Sequence, residues 1–554
     1  MNQINQRLLL LGIALITLHP SPQTVAAETF DVVVYGGTSS GIVAAIQVQR
    51  SGKTVALLEP SQHLGGLTTG GLGATDIGRK YVIGGLAREF YHRIRLHYGQ
   101  DDAWDHETLD GYRKRSPRFA PEVDTMWTFE PHVASQIYRE MLAEAGIETL
   151  VGERLDRTHG VKIINGRIIS LTTESGKTFA GKMFIDATYE GDLMAAAGVS
   201  YHVGRESNDT YGETLNGFQR QHAVSHQFTH EVDPYVVPGD SASGLLWGIQ
   251  RGTDVPSDGT GDKVLQAYCF RLCTTDVPAN RKPWPKPEGY DQSRYELLLR
   301  NFEAGDHRVP WNPVSMPNRK TDTNNNYAFS TDYIGGNYDY PDADYATRER
   351  ILADHRNYQQ GLLWTLANHE RVPEEVREHF ERLGLARDEF VDNDNWPTQL
   401  YIREARRMVS AYVMTEQNCR RQRIAKDSVG MGAYGMDSHN CTRHVSAEGF
   451  ARNEGDVQVH VSKPYPISYR SIVPKADECT NLFAPVCVSS SHIGFGSIRM
   501  EPVFMVLGQS AALAAAQAID DGVAVQQVDY PKLAKTLRTA GQVLTLEDKP
   551  PTYE

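Results

Sequence analysis

Six residues, Gly36-Gly37-Thr38-Ser39-Ser40-Gly41, lie between the apolar run 32–35 and the alanine-rich stretch 42–46. Strand, tight turn and helix in that order commit the chain to a βα unit of parallel sheet. In such a unit glycines let backbone N–H groups and the positive helix N-terminus approach a pyrophosphate. An acidic residue closing the next strand takes a ribose hydroxyl. Glu59 closes the apolar strand 54–58 and lies 18 positions past Gly41, near the expected ~20. Thr38 stands where the middle glycine of G-x-G-x-x-G belongs, and its side chain narrows the approach to phosphate. A glycine-rich turn alone also reads as an ordinary βα loop; strand, helix and Glu59 together favour a dinucleotide site.

Residues 1–27 carry one positive side chain, Arg7, an apolar core over 8–18 and the small-residue exit Val25-Ala26-Ala27. This reads as a cleavable secretory signal, with an uncleaved anchor as the alternative. The core is shorter than the ~20 apolar residues of a spanning helix, and no later segment reads as one. The mature chain is therefore expected to be exported, periplasmic or extracellular, without an integral membrane segment. With no twin-arginine pair near the start, export precedes folding, and a cofactor is acquired outside the cytoplasm.

The 554 residues suffice for two or three domains, and 40% apolar with 23% charged residues fits a globular enzyme. A net charge of −13 argues against a nucleic-acid partner. Six cysteines without a C-x-x-C pattern speak against metal binding and dithiol redox chemistry, and leave one or two disulfides open.

The chain then returns to its first domain. A helix is expected over 131–146, a strand over 148–151, a β-meander over 161–169 and 176–179, and a buried strand running from 183 into a small-residue turn at 187–192. The middle is polar and rich in proline, asparagine and tyrosine, with aromatic residues such as Trp247, Trp284, Trp311 and Trp364 to order it. It reads as an inserted α+β substrate domain over 204–400. The amide-rich run 318–326 reads as loop, and 345–370 as a solvated helix. Near the end, a strand over 481–486 precedes a glycine-bearing turn over 489–499 and an apolar helix from Pro502 to Ala516. The fold class is α/β, with a Rossmann-type domain over 28–203 to which part of 401–554 returns.

The opening strand and turn 31–38, the loop Leu64-Gly65-Gly66-Leu67-Thr68-Thr69-Gly70-Gly71-Leu72-Gly73 and the segment Asp186-Ala187-Thr188-Tyr189-Glu190-Gly191-Asp192 resemble secreted FAD-dependent oxidoreductases of the glutathione-reductase-type fold. So do Tyr268 to Cys273, Tyr401 to Arg407, Asp427-Ser428-Val429, Asp437-Ser438-His439 and Ser491 to Arg499. The similarity spans nearly the whole mature chain. It implies FAD rather than NAD. It implies that Gly36, Gly37, Ser39, Ser40 and Gly41 cradle the pyrophosphate, that Glu59 binds the adenosine ribose, and that Gly65, Gly66, Leu67 and Thr68 approach the rest of the cofactor. Val151 fits the strand facing adenine. Asp186 and Asp192 hold the pyrophosphate side or, equally, cap a turn. Gly496 keeps the last glycine-bearing turn open toward the flavin, and Arg271, Arg403 and Arg499 can stabilise negative charge there, although Arg403 beside Glu404 reads as an ion pair in a charged helix.

Oxidation by a flavin needs a hydride acceptor and a base, and histidine suits the base near neutral pH. His492, in the small-residue turn, is the first candidate and His439 the second. The expected reaction removes a hydride from a small organic substrate, a sugar or other polyol, and passes electrons to an unidentified acceptor. The sugar suggestion rests on aromatic faces and the amides of Asn324, Asn325 and Asn326. The alternatives are a polysaccharide lyase or hydrolase with non-redox FAD, and a secreted binding protein on an inactive flavoprotein frame.

Overall fold

Strand β1 (Glu28–Tyr35) is buried on both faces over Val32, Val33, Val34 and Tyr35, as a central parallel strand must be. The alternation of a strand divides these residues between two cores. Val32 and Val34 join the larger one, whereas Val33 and Tyr35 join a second with Leu58, Phe184 and Leu193. The computed structural model describes residues 27–116 and 123–553; apart from Ala27, the secretory signal read over 1–27 lies outside the described residues.

β1 runs parallel to β2 (Val55–Glu59) on one side and to β6 (Thr178–Asp186) on the other, and β3 (Thr149–Val151) extends the sheet beyond β2. The chain builds outward through β2 and β3, then crosses β1 to lay down β6. That reversal opens a crevice at the carboxyl ends of β1 and β6, where open α/β sheets bind ligands. β5 (Arg167–Thr172) pairs antiparallel with β6 on one side and with β4 (Val161–Ile164) on the other, giving the expected meander. The short strand Leu482–Phe483 returns parallel to β6. Helix α1 (Ser39–Arg50) packs on the Glu501–Asp521 helix so closely that a Cβ at Gly508 would lie 2.4 Å from the Ser40 carbonyl oxygen.

The Glu501–Asp521 helix is long and apolar enough to cross a membrane, contrary to the sequence reading, but 94% of its apolar window is buried inside the fold. It is a core helix, packed against α1 and sheet. Among the described residues no other helix has that length and hydropathy.

The middle segment contains an antiparallel five-stranded sheet in the order Trp311–Ser315, Lys320–Asn325, Leu272–Thr275, Gly384–Ala386, Arg281–Lys282. The amide-rich run is thus no loop: Lys320–Asn325 is a strand flanked on both sides, with Asn325 buried. Tertiary pairing overrides the turn preference of asparagine here. A helix forms at Tyr345–Asn368 as expected, but it buries Arg348, His355, Tyr358, Leu362 and Leu366 rather than standing in solvent. Residues 402–406 form neither helix nor strand. The neighbours Arg403 and Glu404 therefore diverge, Arg403 to Asp332 and Glu404 to His492 and Arg407.

All six cysteines are buried and free. Burial pushes the Cys419 thiol up to about 12, so these side chains act as small apolar groups. Glu130, His132 and Glu389 bring possible ligand atoms within 4.8 Å of one another. The cation among them is Lys320, whose ammonium lies 2.7 Å from Glu130, 2.7 Å from Asp388 and 2.8 Å from Glu389.

Candidate active site

The turn after β1 explains its own glycines. Gly36 has φ +105°, and a Cβ there would lie 2.7 Å from the Thr188 nitrogen. At Gly41 a Cβ would come within 1.8 Å of the Gly36 carbonyl oxygen, so only glycine lets α1 start this close to β1. Thr38 in the middle-glycine position is the N-cap of α1. Its hydroxyl accepts from Gly41 N and donates to Ala187 O at 2.7 Å. The side chain thus turns inward along the helix start. Ser40 Oγ is buried with no hydrogen-bond partner among the described residues.

Glu59 ends β2 with Oε2 accepting from Gly37 N and Oε1 from Ser61 N, both at 2.7 Å. Burial pushes its carboxyl up against these two amides. Gly65 N donates to Gly37 O, which ties the second glycine segment, α2 (Gly66–Gly70), to the first. Leu67 N donates to Tyr189 Oη, and Thr68 Oγ1 to Glu501. A cavity of ≈ 370 Å³ opens between these turns, lined among others by Gly36, Thr38, Glu59, Gly66, Glu190 and Asp192. His63 also borders it, and burial pushes that imidazole down to about 4.

Other predicted residues are placed differently. Val151 pairs with Glu59 at the end of β3 and is half-exposed; the neighbouring Arg154 borders the cavity. Asp186 spends its oxygens on Thr188 and on Met194 N, a turn and helix-start role, and burial pushes it up to about 6. Asp192 borders the cavity but is held by Arg348 and Arg406. Residues 492–498 of the expected glycine-bearing turn form a helix, His492–Ile498, whose first amides are taken by Glu206, Asn216 and Ser491. Gly496 permits that helix to pack on strand Met436–Ser438, since a Cβ would lie 2.3 Å from Asp437 O.

The same strand gathers the remaining candidates. Arg499 donates to the Asp437 carboxylate at 2.8 Å and to Tyr401 Oη at 2.7 Å. Ser438 Oγ lies 3.0 Å from His492 Nε2, while Nδ1 of that ring lies 2.8 Å from Glu404. His439 Nδ1 lies 2.7 Å from Asp332, which Arg403 holds at 3.0 Å. Arg271 grips Asp322 with two nitrogens at 2.8 Å and reaches Asp76 at 3.5 Å. Side-chain exposure separates the members: Asp76 24%, Asp437 17% and His439 10%, against 3% for His492. Both ring nitrogens of His492 are engaged, whereas His439 keeps Nε2, 3.6 Å from Asp437.

Burial pushes the Asp332 carboxyl up, but Arg403 and His439 pull it well below the usual range, so it is an ionised acceptor. It fixes the proton of His439 on Nδ1. Burial, helped by Arg403, lowers the His439 pKa from 6.5 despite Asp332. The ring is therefore neutral at pH 7, with a lone pair on Nε2.

A family model described as FAD dependent oxidoreductase matches residues 31–537. The chain belongs to this family. FAD is the cofactor of this oxidoreductase, and the residues fit its adenosine diphosphate half: a glycine cradle with no room for a Cβ, a carboxylate at the end of β2, and a cavity of suitable size. Comparison with curated proteins gives no match. Among solved structures, the flavoenzyme is similar to L-amino acid deaminase from Proteus vulgaris (17% identity over 34% of this chain and 55% of that one, TM-score 0.22). It is also similar to 3-ketosteroid-Δ4-(5α)-dehydrogenase from Rhodococcus jostii RHA1 (18% identity, 32% and 50%, TM-score 0.20). The flavoenzyme spans about half the length of the first solved structures it matches.

Two functional residues escaped the sequence. Glu501 receives Ser39, Thr68 and Tyr189; the signal was an acidic residue opening an otherwise apolar helix, which reads as a favourable dipole contact. Asp332, the partner of His439, lies 107 positions away from it and has no local signature.

Proposed function

We propose that this flavoenzyme is exported and oxidises a small hydroxylated substrate, a sugar or another polyol, with His439 as the base. The observation that carries the reading is the Asp332–His439 pair, whose Nε2 lies 3.6 Å from the Asp437 carboxylate that Arg499 holds, in the partly exposed end of a charged cluster. Bound FAD supplies the acceptor for a hydride. The substrate hydroxyl gives its proton to His439 Nε2, and the resulting imidazolium is stabilised by the Asp332 carboxylate. Asp437, held by Arg499, and Asp76, near Arg271, offer acceptors that suit further hydroxyls. The amides of Asn324 and Asn325 contribute less than the sequence suggested, because they belong to a strand that ends just before Asn326. His492, fixed at both nitrogens, orients Ser438 and the strand carrying His439. Ser438→Ala is expected to cost ~1 kcal/mol of stability, the worth of one hydrogen bond, measured by denaturant unfolding.

Because the base must be neutral, turnover should rise with pH through the His439 pKa and level off. The expected half-point of kcat/KM lies below pH 6.5, and Arg403→Gln, which removes a positive neighbour, should move it upward. An unchanged half-point in that variant would count against His439 as the titrating group. Export is tested by N-terminal sequencing of protein recovered outside the cytoplasm, where a start just after Ala27 is expected and an intact Met1 would contradict it.

A further inference from the structure

Glu501 opens the Glu501–Asp521 helix with a carboxyl that is buried, 3% exposed. Among the described residues its partners are hydroxyls and none is a cation: Oε2 accepts from Ser39 and Thr68, and Oε1 from Tyr189 at 2.8 Å. The three donors come from the first residue of α1, from α2, and from the turn after β6. One carboxyl therefore joins the three segments that surround the dinucleotide cradle. The other titratable groups facing it are phenols, Tyr138 on the Pro131–Glu144 helix and Tyr91 on the Gly85–His97 helix, which burial keeps neutral.

Ser39 lies at the end of α1 that receives a diphosphate, so the Glu501 carboxyl stands one hydroxyl away from that anion. Two anions this close, with the carboxyl buried from bulk solvent and bonded to hydroxyls alone among the described residues, repel strongly, and the weaker acid takes a proton. We propose that Glu501 is a cofactor-site residue that takes up a proton as the diphosphate of FAD binds, which makes FAD affinity proton-linked. Burial already raises this carboxyl above its ordinary 4.5 before any ligand arrives. A bound diphosphate raises it further. The complex then holds the proton more tightly than the free protein, so affinity falls as pH rises between the two pKa values and is level outside them.

Four carboxyls border the cavity: Glu59, bonded to Gly37 and Ser61; Glu190, which faces Arg348 and Tyr340; Asp192, paired with Arg348 and Arg406; and Glu349, paired with Arg154. The test must separate them. FAD is stripped from the protein, and rebinding is followed by flavin fluorescence and by calorimetry in two buffers of different ionisation enthalpy across about pH 5.5 to 9. Within part of that range the dissociation constant should rise up to about tenfold per pH unit, the limit for one proton, with heat that reports proton uptake. Glu501→Gln should abolish slope and uptake, while Glu59→Gln and Glu190→Gln retain them. A level wild-type profile, or a slope that survives in Glu501→Gln, would overturn the proposal. If Glu501→Gln does not fold, loss of the slope in Glu59→Gln or Glu190→Gln would overturn it equally. These readouts concern binding alone, so they stand apart from any error about substrate or base.

Discussion

Gly41→Ala is expected to leave a protein that is purified without FAD and melts well below the parent. The added methyl would lie 1.8 Å from the Gly36 carbonyl oxygen and 3.2 Å from Ala187 Cβ. Neither neighbour can step aside, because Gly36 is bonded to Leu58 O and Ala187 to Tyr35 O inside the sheet. Helix α1 must therefore shift off β1, which also breaks its contact with the Glu501–Asp521 helix at Gly508. Overpacking of this severity costs about 3 kcal/mol or more, and the displaced helix end no longer meets the cofactor. Gly252→Ala, with nothing within 4 Å of the new methyl, is the control and should retain flavin and melting temperature. Flavin absorbance per protein and thermal unfolding measure both effects. An FAD-replete Gly41→Ala protein would refute the close-approach argument.

His439→Asn should retain flavin absorbance yet lose about 10²- to 10⁴-fold in turnover, the usual worth of a positioned base. Asparagine preserves a donor toward Asp332, so the carboxylate beside Arg403 stays satisfied and the fold is spared. His492→Asn is expected to behave in the opposite sense. It breaks the link between Glu404 and Ser438, which lie buried, and burial pushes the Glu404 carboxyl up until His492 and Arg407 bring it down to about 2. Removing the imidazole takes one of the two partners from the carboxylate, so stability falls first and rate follows. Rapid single-turnover kinetics with melting curves on both variants separate the roles; a His492→Asn protein that is stable but inactive would reverse them.

The nucleotide end of the molecule was legible because its signals are local. Strand, glycine turn, helix and acidic residue fall within about thirty positions, and each obeys a short-range steric rule. The meander and the last apolar helix could be read for the same reason. The charged cluster could not, since Asp332, Arg403, Asp437, His439 and His492 are brought together by tertiary packing and carry no spacing in sequence. Composition misled where the asparagine run joined a sheet and where Arg403 and Glu404 took an irregular path instead of a helix. In both cases partners distant in sequence supplied the backbone or side-chain bonds that local preference had not anticipated. Glu501 was visible as a residue type, but its three hydroxyl donors were not.

Anaerobic mixing of the purified FAD-bound protein with sugars, polyols and amino acids, followed by the visible flavin bands, tests the central claim most directly. Bleaching by a sugar or polyol, slowed at acid pH and lost in His439→Asn, is the predicted result. Bleaching by none of the hydroxylated compounds while the flavin remains chemically reducible, or bleaching confined to the amino acids, would contradict it.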